Sequence, residues 1–427
     1  MILTTILVLL GMLALSIPVA AVLGTLALAL DQFYAFLPLH RAIGELAWVA
    51  STNGVLVAIP LFILLGEILL RSGIAEKLYA SATHWLSWLP GGLMHSNIGS
   101  CAIFAAISGS SVATAATIGT VAIDQIDKRG YNERFFLGTI AAGGTLGILI
   151  PPSINLIVYG VLTETSIVQL YLAGFTPGII LAGLFMLTVV IGCILRPKWG
   201  GRKVVTNWEN RIRSLPDLIP PILIFVAVIG SIYTGIATPT ESAALGVLAA
   251  LALVAWHRRL TISMMRQALE GTMRTTAMIM AILVAAYFLN FVITAIGLTA
   301  KVNNMIIGLG WTPMQTLIAV ICFYVVLGMF METLSMMVAT VPIITPVIVS
   351  LGFDPVWFGI IIILLIETAM ITPPVGINLF VVQGVRGRGH LHDVMIGAAP
   401  FVVTLMLMIV LLILFPDLAM WLPHTAR

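Results

Sequence analysis

The chain has 427 residues, of which 60% are apolar and only 9% are charged. A soluble domain carries about 25% charged residues, so this composition cannot provide the charged surface that a soluble protein of this size needs. The net charge of +3 comes from few, scattered residues, which leaves no basic face for nucleic acid. These values predict an all-α polytopic membrane protein in a lipid bilayer, with no nucleic-acid partner.

Apolar stretches long enough to cross a bilayer begin at the N-terminus. Residues 1–37 are too long for one span, and Pro18 near their middle predicts two helices joined by a tight turn. Residues 40–53, which contain Arg41, Glu45 and Trp48, predict a helix along the membrane interface, and 55–70 predict a further span. Later apolar stretches cover 95–125, 135–195, 217–256, 275–299, 314–350, 357–385 and 394–415, and the longest polar connection is 196–216.

Charge placement predicts the topology. If the N-terminus is outside and residues 95–125 and 314–350 are re-entrant hairpins, 17 of the 20 Lys and Arg residues lie on the cytoplasmic face. Only Arg41, Lys301 and Arg427 then remain outside. The positive-inside rule therefore predicts two opposed hairpins and periplasmic N- and C-termini.

The two halves of the chain resemble each other at an offset of about 222 residues. Pro151-Pro152 and Pro373-Pro374 are 222 residues apart, and Pro18 corresponds to Pro239 at an offset of 221. Each half is interpreted as two spans, an interfacial helix, a span, a hairpin, a broken span and a final span. The odd number of crossings predicts an inverted repeat, which is typical of secondary transporters with a site between the repeats.

The repeat predicts a division into scaffold and transport parts. The predicted segments are 1–94 (first scaffold helices and interfacial arm), 95–173 (hairpin 1 and a broken helix at 147–153), 174–313 (scaffold helices, cytoplasmic loop 196–216 and second arm), 314–393 (hairpin 2 and a broken helix at 372–378) and 394–427 (last scaffold helix).

The two Pro-Pro pairs are the first candidate site elements. Each proline removes a backbone N–H and crowds the carbonyl one turn back, so a Pro-Pro pair breaks a membrane helix. Freed carbonyls can bind a hard cation such as Na⁺, and the N-terminus of the next half-helix favours an anion. The alternative is a pair of plain proline kinks without a ligand.

The hairpin tips are the second candidate elements. Residues 106–114 are rich in small and hydroxylated side chains, which suit cation or carboxylate binding but also close helix packing. The opposite tip, 328–335, carries Glu332, which either assists a cation or caps the returning helix, and the role of Glu367 is equally open. No Lys or Arg lies in the hairpins, so Asn155 or Asn378, hydroxyls and helix N-termini must hold any anion, with Na⁺ supplying positive charge.

Motifs for enzymatic chemistry are absent from the sequence. It contains no His-Glu-x-x-His, no Gly-x-Ser-x-Gly and no phosphate-binding Gly-x-x-x-x-Gly-Lys-Ser/Thr. The three cysteines lie far apart in apolar stretches and match no metal-binding spacing. We therefore predict that the chain is not an enzyme and does not use ATP.

Several motifs together resemble one family over nearly the whole chain: Ser108-Gly109-Ser110-Ser111, Leu146-Gly147-Ile148-Leu149-Ile150-Pro151-Pro152-Ser153, Thr238-Pro239-Thr240-Glu241, Gly328-Met329-Phe330-Met331-Glu332 and Ile371-Thr372-Pro373-Pro374-Val375-Gly376-Ile377-Asn378. The chain is similar to the large membrane subunit of tripartite ATP-independent periplasmic (TRAP) transporters. The resemblance implies an elevator-type ion transporter of the bacterial inner membrane. Such a transporter imports organic acids, commonly C4-dicarboxylates or sialic acid, with Na⁺. It receives them from a periplasmic binding protein and carries a small four-helix membrane subunit.

The resemblance also implies about two Na⁺ sites and a substrate site. One Na⁺ site would use Ser108, Ser111 and backbone near Gly147, Ile150 and Pro152. The second would use the tip from Gly328 through Met331 to Thr333, with Thr372 and Pro374. Ser110, Thr114, Ser153, Asn155 and Asn378 would face the substrate. Many family members have Asp where this chain has Glu332, and some have Asp at Thr114.

A second function stays open from the sequence: a self-sufficient ion-coupled carrier or exporter of organic anions that needs no binding protein. A non-transport role, such as an intramembrane enzyme or an assembly scaffold, is a third. The sequence does not identify the substrate.

Overall fold

The computed structural model describes residues 1–15, 17–202, 204 and 206–425. Lys203 and Arg427, two of the cations used to predict the topology, lie outside the described residues. The described part contains 21 α-helices, two short 3₁₀-helices and no strand. Six of these helices are long and apolar enough to cross a membrane, or up to eight spans if each of two bent helix pairs counts as one. The predicted all-α polytopic fold is confirmed.

The N-terminal segment forms five helices. They are α1 (Ile2–Ala14), α2 (Val19–Tyr34), α3 (Ile43–Thr52), α4 (Ala58–Arg71) and α5 (Ile74–Leu86). Helix α3, preceded by a 3₁₀ turn, occupies the place of the predicted interfacial helix. Helices α4 and α5 meet at an angle of 73°, where Gly73 adopts a left-handed conformation with φ of +72°.

The remainder of the first half contains the first hairpin and the first broken span. Its helices are α6 (Leu93–Ser108), α7 (Ser111–Ala122), α8 (Gln125–Arg129), α9 (Glu133–Leu149), α10 (Ile154–Thr163) and α11 (Ile167–Leu195). Helix α9 continues through Gly147 to Leu149, so the non-helical break covers 150–153 and is shorter than the predicted 147–153. Gly147 retains helical geometry because the backbone N–H groups that are missing at the break are those of Pro151 and Pro152, which follow it in the chain.

The second half repeats this order. Its helices are α12 (Trp208–Tyr233), α13 (Pro239–Trp256), α14 (Ile262–Ala295), α15 (Leu298–Gly308), α16 (Pro313–Gly328), α17 (Thr333–Ser350), α18 (Pro355–Ile371), α19 (Ile377–Arg386), α20 (Leu391–Leu414) and α21 (Asp417–Thr425). Helices α9 and α18 correspond at an offset of 222 residues at both ends. The polar connection is shorter than the predicted 196–216, because α12 begins at Trp208, and the break in the second span covers 372–376.

Contacts between the broken spans establish their opposite orientation. The Tyr159 hydroxyl near the end of α10 donates to the carbonyl of Pro355 at the start of α18 (2.8 Å). The Arg386 guanidinium at the end of α19 bonds to Glu133 at the start of α9 (2.9 Å). The two broken spans are therefore antiparallel, which confirms the inverted repeat.

The hairpins open to opposite ends of these spans. Hairpin 1 (α6 and α7) begins beside Tyr131, whose hydroxyl accepts a hydrogen bond from the Leu93 N–H (3.0 Å), close to the start of α9. Hairpin 2 (α16 and α17) ends at Ser350, and a short turn leads from there to Asp354, the N-cap of α18. The open end of hairpin 2 therefore lies close to the start of α18. Because α9 and α18 start at opposite ends of the protein, the two hairpins are opposed, as predicted.

The same topology places eight of the 18 described Lys and Arg residues in segments at one end, which we call the basic face (123–132, 196–202, 204, 206–207, 257–261 and 387–390). Arg202 N–H donates to the carbonyl of Arg129 (2.9 Å), and the Arg259 guanidinium donates to the carbonyl of Ser72 (3.0 Å). The opposite end, which we call the terminal face (residues 1, 35–57, 164–166, 234–238, 351–354 and 415–425), holds Met1 beside Lys301. Both described chain ends therefore lie opposite the basic loops.

Helices α11 and α20 pack against the two broken spans. At Gly138 of α9 and Gly397 of α20 the helix backbones touch, since a Cβ on either glycine would overlap backbone atoms of the other helix. The sequence-based division placed 174–313 and 394–427 in the scaffold. Most of α11 and most of α20 lie in these two segments, and the division into scaffold and transport parts stays a prediction.

The contact between α9 and α20 gives a test of the fold. Gly138→Ala and Gly397→Ala each add a methyl group against backbone that cannot rotate away, so we expect a lower melting temperature in detergent, corresponding to about 1–3 kcal/mol of overpacking. Gly183→Ala on α11, where a Cβ meets nothing within 4 Å, is the matched control and should leave the melting temperature unchanged or raise it. Equal melting of all three variants would contradict the contact.

Candidate functional site

Each hairpin tip rests on the break of its own repeat. We define tip 1 as 108–111, break 1 as 150–153, tip 2 as 328–333 and break 2 as 372–376. Gly109 has φ of +58°, and a Cβ there would lie 2.7 Å from the carbonyl oxygen of Pro152. A Cβ on Gly147 would lie 2.9 Å from the carbonyl oxygen of Ser110. Only glycine at these two positions lets tip 1 lie directly on break 1.

The hydroxyl groups of Ser108 in tip 1 and of Thr114 in α7 form a chain of hydrogen bonds with one direction. Thr114 Oγ1 donates to the carbonyl of Ser110 (2.7 Å). A hydroxyl has one proton, so in the 3.1 Å contact between Ser108 Oγ and Thr114 Oγ1 the donor is Ser108. The lone pairs of Ser108 Oγ are then engaged only by a long contact of 3.5 Å from the Ser110 N–H. Ser108 Oγ is therefore oriented to accept further bonds in a site that is 3% exposed.

Two helices begin at this same place. Ser110 caps α7 by accepting a hydrogen bond from the Ala113 N–H (3.3 Å), and Ser153 caps α10 through the Leu156 N–H (3.4 Å). The Ser153 carbonyl also accepts a bond from the Tyr171 hydroxyl (3.5 Å). Both helix N-termini favour negative charge nearby, so tip 1 and break 1 together suit an anion as well as a cation.

Asn378 connects tip 1 to the second repeat. Its side chain is fully buried, and its Nδ2 donates to Ser111 Oγ (2.7 Å) and to the carbonyl of Ala141 (3.1 Å). The lack of a side chain at Gly144 leaves room for this amide, since a Cβ there would lie 3.1 Å from its nitrogen. The amide oxygen of Asn378 is buried and accepts no hydrogen bond from the described part of the chain. The sequence suggested a substrate contact at Asn378, and the structure adds a fixed bond between the repeats.

Tip 2 and break 2 form the corresponding arrangement. The Val375 N–H donates to the carbonyl of Met329 (3.2 Å), and Gly328 packs against Ala369. Thr372 Oγ1 donates to the carbonyl of Thr368 (2.6 Å) and Thr333 Oγ1 donates to Glu332 (2.8 Å). Both threonine oxygens thus keep their lone pairs for another ligand. Met331 and Thr333 are buried, whereas Pro374 is exposed.

Glu332 caps helix α17. Its carboxylate accepts hydrogen bonds from the N–H groups of Leu334 (3.1 Å) and Ser335 (3.0 Å) and from the Ser335 hydroxyl (2.8 Å). Of the two roles considered for this side chain, the geometry favours capping the returning helix.

The structure sorts the predicted residues into two places. Tip 1 and break 1 bring together Ser108, Ser110, Ser111, Thr114, Gly147, Ile150, Pro152, Ser153 and, from the second repeat, Asn378, with Asn155 in the first turn of α10; tip 2 and break 2 bring together Gly328, Met331, Thr333, Thr372 and Pro374. Sequence reasoning did not assign Gly109 or Gly144 to a site, although Gly109 stands in the Ser108–Ser111 motif, and it missed Tyr171. Their signals were the glycine inside the serine cluster, the doubled glycine 143–144 and a tyrosine in an apolar span. Among the described residues, no three His, Cys, Asp or Glu side chains cluster as metal ligands.

A second interaction that sequence reasoning missed ties the broken spans together at the basic face. The Arg386 side chain is 4% exposed and contacts both Glu133 and Asp393, and Arg134 bonds to Asp393 (2.8 Å). The nearby Arg388 guanidinium donates a hydrogen bond to Asp127. This bond and the negative charges of Asp127 and Glu133 raise the pKa of Arg388. Ends of α9, α19 and α20 are thereby fixed to one another.

Comparison with known proteins decides the family. Residues 6–418 match the family model described as "Tripartite ATP-independent periplasmic transporter, DctM component". The chain belongs to this family. The C4-dicarboxylate TRAP transporter large permease protein DctM of Vibrio cholerae is 31% identical over 434 residues, covering 97% of this chain and 95% of that one. The corresponding DctM of Pseudomonas aeruginosa is 33% identical, covering 90% of each chain.

Other TRAP large permease proteins are similar to a comparable degree. The sialic acid TRAP transporter large permease protein SiaM of Vibrio cholerae is 31% identical, with 87% of each chain covered. Among solved structures, the Alcanivorax borkumensis YdaH transporter superimposes with a TM-score of 0.65 over 99% of this chain and 98% of its own, at 16% identity, which supports the fold alone.

Membership of the TRAP family makes this chain a large permease subunit, a multi-pass membrane protein and not an enzyme. The family name describes a tripartite system, so a small membrane subunit and a periplasmic binding protein are implied as partners. The predicted TRAP resemblance is confirmed.

The bond from Asn378 to Ser111 can be tested by removing its donor. Asn378→Asp keeps the shape of the side chain but places an acceptor against Ser111 Oγ and the Ala141 carbonyl, so we expect a loss of stability of about 1–3 kcal/mol. The melting temperature in detergent measures it. Asn210→Asp on the exposed start of α12 introduces the same charge and should melt like the wild type. An unchanged melting temperature for Asn378→Asp would show that this bond does not join the repeats.

Proposed function

We propose that this chain is the transport subunit of a Na⁺-coupled, ATP-independent importer of organic acid anions in the bacterial inner membrane. A periplasmic binding protein delivers the anion, and a small four-helix membrane subunit stays bound to the scaffold. The basic face is cytoplasmic and the terminal face periplasmic. The observation that carries the proposal is that each hairpin tip rests on the break of its own repeat, so that hydroxyl oxygens, carbonyls and helix N-termini converge at two related places.

The first Na⁺ site is assigned to tip 1 and break 1. Ser108 and Ser111 supply hydroxyl oxygens, and backbone near Gly147, Ile150 and Pro152 supplies carbonyls. Two observations support this assignment. Ser108 Oγ donates its proton to Thr114, so its lone pairs are largely free to bind a cation. The carbonyl oxygen of Pro152 lies against Gly109 of tip 1. Oxygen-only ligands suit a hard cation.

The second Na⁺ site is assigned to tip 2 and break 2. The hydroxyls of Thr333 and Thr372 donate their protons to Glu332 and to the Thr368 carbonyl, so their oxygens can bind a cation. Backbone groups of Gly328, Met331 and Pro374 complete this site. The two assignments correspond across the inverted repeat, so one arrangement of hydroxyl and carbonyl groups serves both ions.

The substrate is assigned to the polar groups beside the first ion. Ser110 and Ser153 stand at the N-termini of α7 and α10, where a carboxylate is favoured. Thr114, Asn155 and Asn378 complete this set, with Asn378 holding Ser111 in position. No Lys or Arg side chain belongs to either tip or break, so bound Na⁺ supplies the positive charge that an organic anion requires.

Movement of the broken spans relative to the scaffold would carry the site across the membrane. Helices α2, α4, α13 and α14 pack together as a scaffold. Tip 1 meets this scaffold at Gly66 of α4, where a Cβ would lie 3.0 Å from the Ser108 carbonyl oxygen. A glycine at that contact presents a smooth surface, which supports an elevator motion.

Na⁺ binding is tested by the melting temperature of the purified chain in NaCl against KCl at constant ionic strength. A ligand bound only to the folded state at a hundredfold excess over its Kd stabilises by about 2.7 kcal/mol. We expect a saturable rise with Na⁺ that is reduced in Ser108→Ala and in Thr372→Ala. Thr234→Ala removes a similar hydroxyl-to-carbonyl bond at the terminal face and should respond like the wild type. Identical curves for all proteins in both salts would contradict the ion assignment.

Dependence on a binding protein is tested in proteoliposomes that contain this chain and its small subunit. A labelled C4-dicarboxylate is offered first and sialic acid second, each with and without its loaded binding protein. We expect uptake only with the binding protein and an inward Na⁺ gradient. Uptake that persists without the binding protein would support the self-sufficient carrier instead.

A further inference from the structure

Glu367 is a carboxyl group that the proposed ion and substrate sites do not use. It lies in α18, five residues before break 2, and its side chain is fully buried. Neither carboxyl oxygen forms a hydrogen bond within the described part of the chain. Its neighbours Ile366 and Leu365 are also fully buried and apolar. This is an uncommon environment for an acid, because a buried carboxylate without a partner costs several kcal/mol.

The element that faces Glu367 is the end of the other broken helix. The backbone of Leu149, the last residue of α9, lies beside the carboxyl group, which forms no hydrogen bond with it. Leu149 immediately precedes break 1. Glu367 therefore lies where the two broken helices of the inverted repeat meet.

No charged side chain of the described residues bonds to Glu367. The titratable groups on the elements packed against α18 are Glu133 and Arg134 on α9, Tyr159 on α10, Tyr171 and Cys193 on α11, Cys322 and Tyr324 on α16, Glu332 at the start of α17, Arg386 on α19, His392 and Asp393 on α20 and Asp417 and His424 on α21. Arg134 and Arg386 bond to carboxylates at the basic face, and Glu332 bonds to its own helix. None of these groups bonds to Glu367.

We propose that Glu367 is a proton-binding site at the contact between the two broken helices, occupied by a proton when α9 and α18 are packed as seen here. A proton suits this place better than a metal cation. A metal cation needs several oxygen ligands, whereas the carboxyl group of Glu367 has no polar partner among the described residues. A proton requires only the carboxyl group itself and removes the charge that burial penalises.

The proposal gives the packing of α9 on α18 a dependence on pH. The folded chain holds a proton that the unfolded chain releases at neutral pH, so folding takes up a proton and stability falls as pH rises. Any rearrangement that wets the contact between these helices lets the proton leave to water. This inference concerns the purified chain without Na⁺ or partners, so it does not depend on the function proposed above.

Infrared spectroscopy of the full chain in detergent, in a potassium buffer at neutral pH, tests for the proton directly. We expect the carbonyl stretching band of a buried protonated carboxylic acid in the wild type and its loss in Glu367→Gln. Glu270→Gln, at an exposed carboxylate paired with Arg266 on α14, should keep the band. Absence of the band from the wild type would overturn the proposal even if Glu367→Gln does not fold. Disappearance of the wild-type band on adding NaCl would also overturn it, in favour of a Na⁺ ligand.

Melting temperatures between pH 6 and pH 9 give a second readout. Glutamine has the shape of the neutral acid and cannot lose a proton. We therefore expect Glu367→Gln to melt at a higher temperature than the wild type by a margin that widens from pH 6 to pH 9, because the unfolded wild-type chain already releases the proton throughout this range, while Glu270→Gln follows the wild type throughout. A pH profile of Glu367→Gln parallel to that of the wild type would count against proton binding at this residue.

Discussion

The structure depends on one constraint: inside a membrane, each backbone polar group that a helix break releases must be satisfied by protein or by a ligand. The Pro-Pro pairs release such groups at the middle of two spans, and the opposed hairpins cover them. Gly109 and Gly147 let tip 1 approach break 1 to backbone contact, and the Val375 N–H bonds to tip 2. Each hairpin tip in this protein therefore covers the break of its own repeat.

The inverted repeat explains why this arrangement occurs twice and faces both ways. Antiparallel broken spans place one covered break beside each hairpin, and each hairpin opens to a different face. The repeats are joined near the middle by the buried amide of Asn378 and at the basic face by Arg386 with Glu133 and Asp393. These two connections, together with the backbone contact of Gly138 and Gly397, make the broken spans and α20 one packed unit.

The sequence predicted the hairpins and breaks because their signals are strong and local. Two Pro-Pro pairs at one offset and basic loops that satisfy the positive-inside rule in a single topology leave few alternatives. Helices α5 and α15 were missed because they are short and carry polar residues such as Glu76 and Lys301, so their hydropathy resembles that of a loop. The bond from Asn378 to Ser111 spans 267 residues, and no local pattern indicates which distant hydroxyl an asparagine reaches.

The distribution of charge connects the fold to transport. Ion pairs fix the helix ends at the basic face, where water and counter-ions reduce the cost of charge. Between the faces, the hairpins and the broken spans carry two carboxyl groups, Glu332 and Glu367, and no Lys or Arg. Glu332 is neutralised in part by the N–H groups of its own helix, and Glu367 has no partner among the described residues. The protein thus brings almost no fixed positive charge to the place where an organic anion would cross. The charge of this packed unit is then set by what binds to it, and an organic anion is most stable there when cations are bound with it.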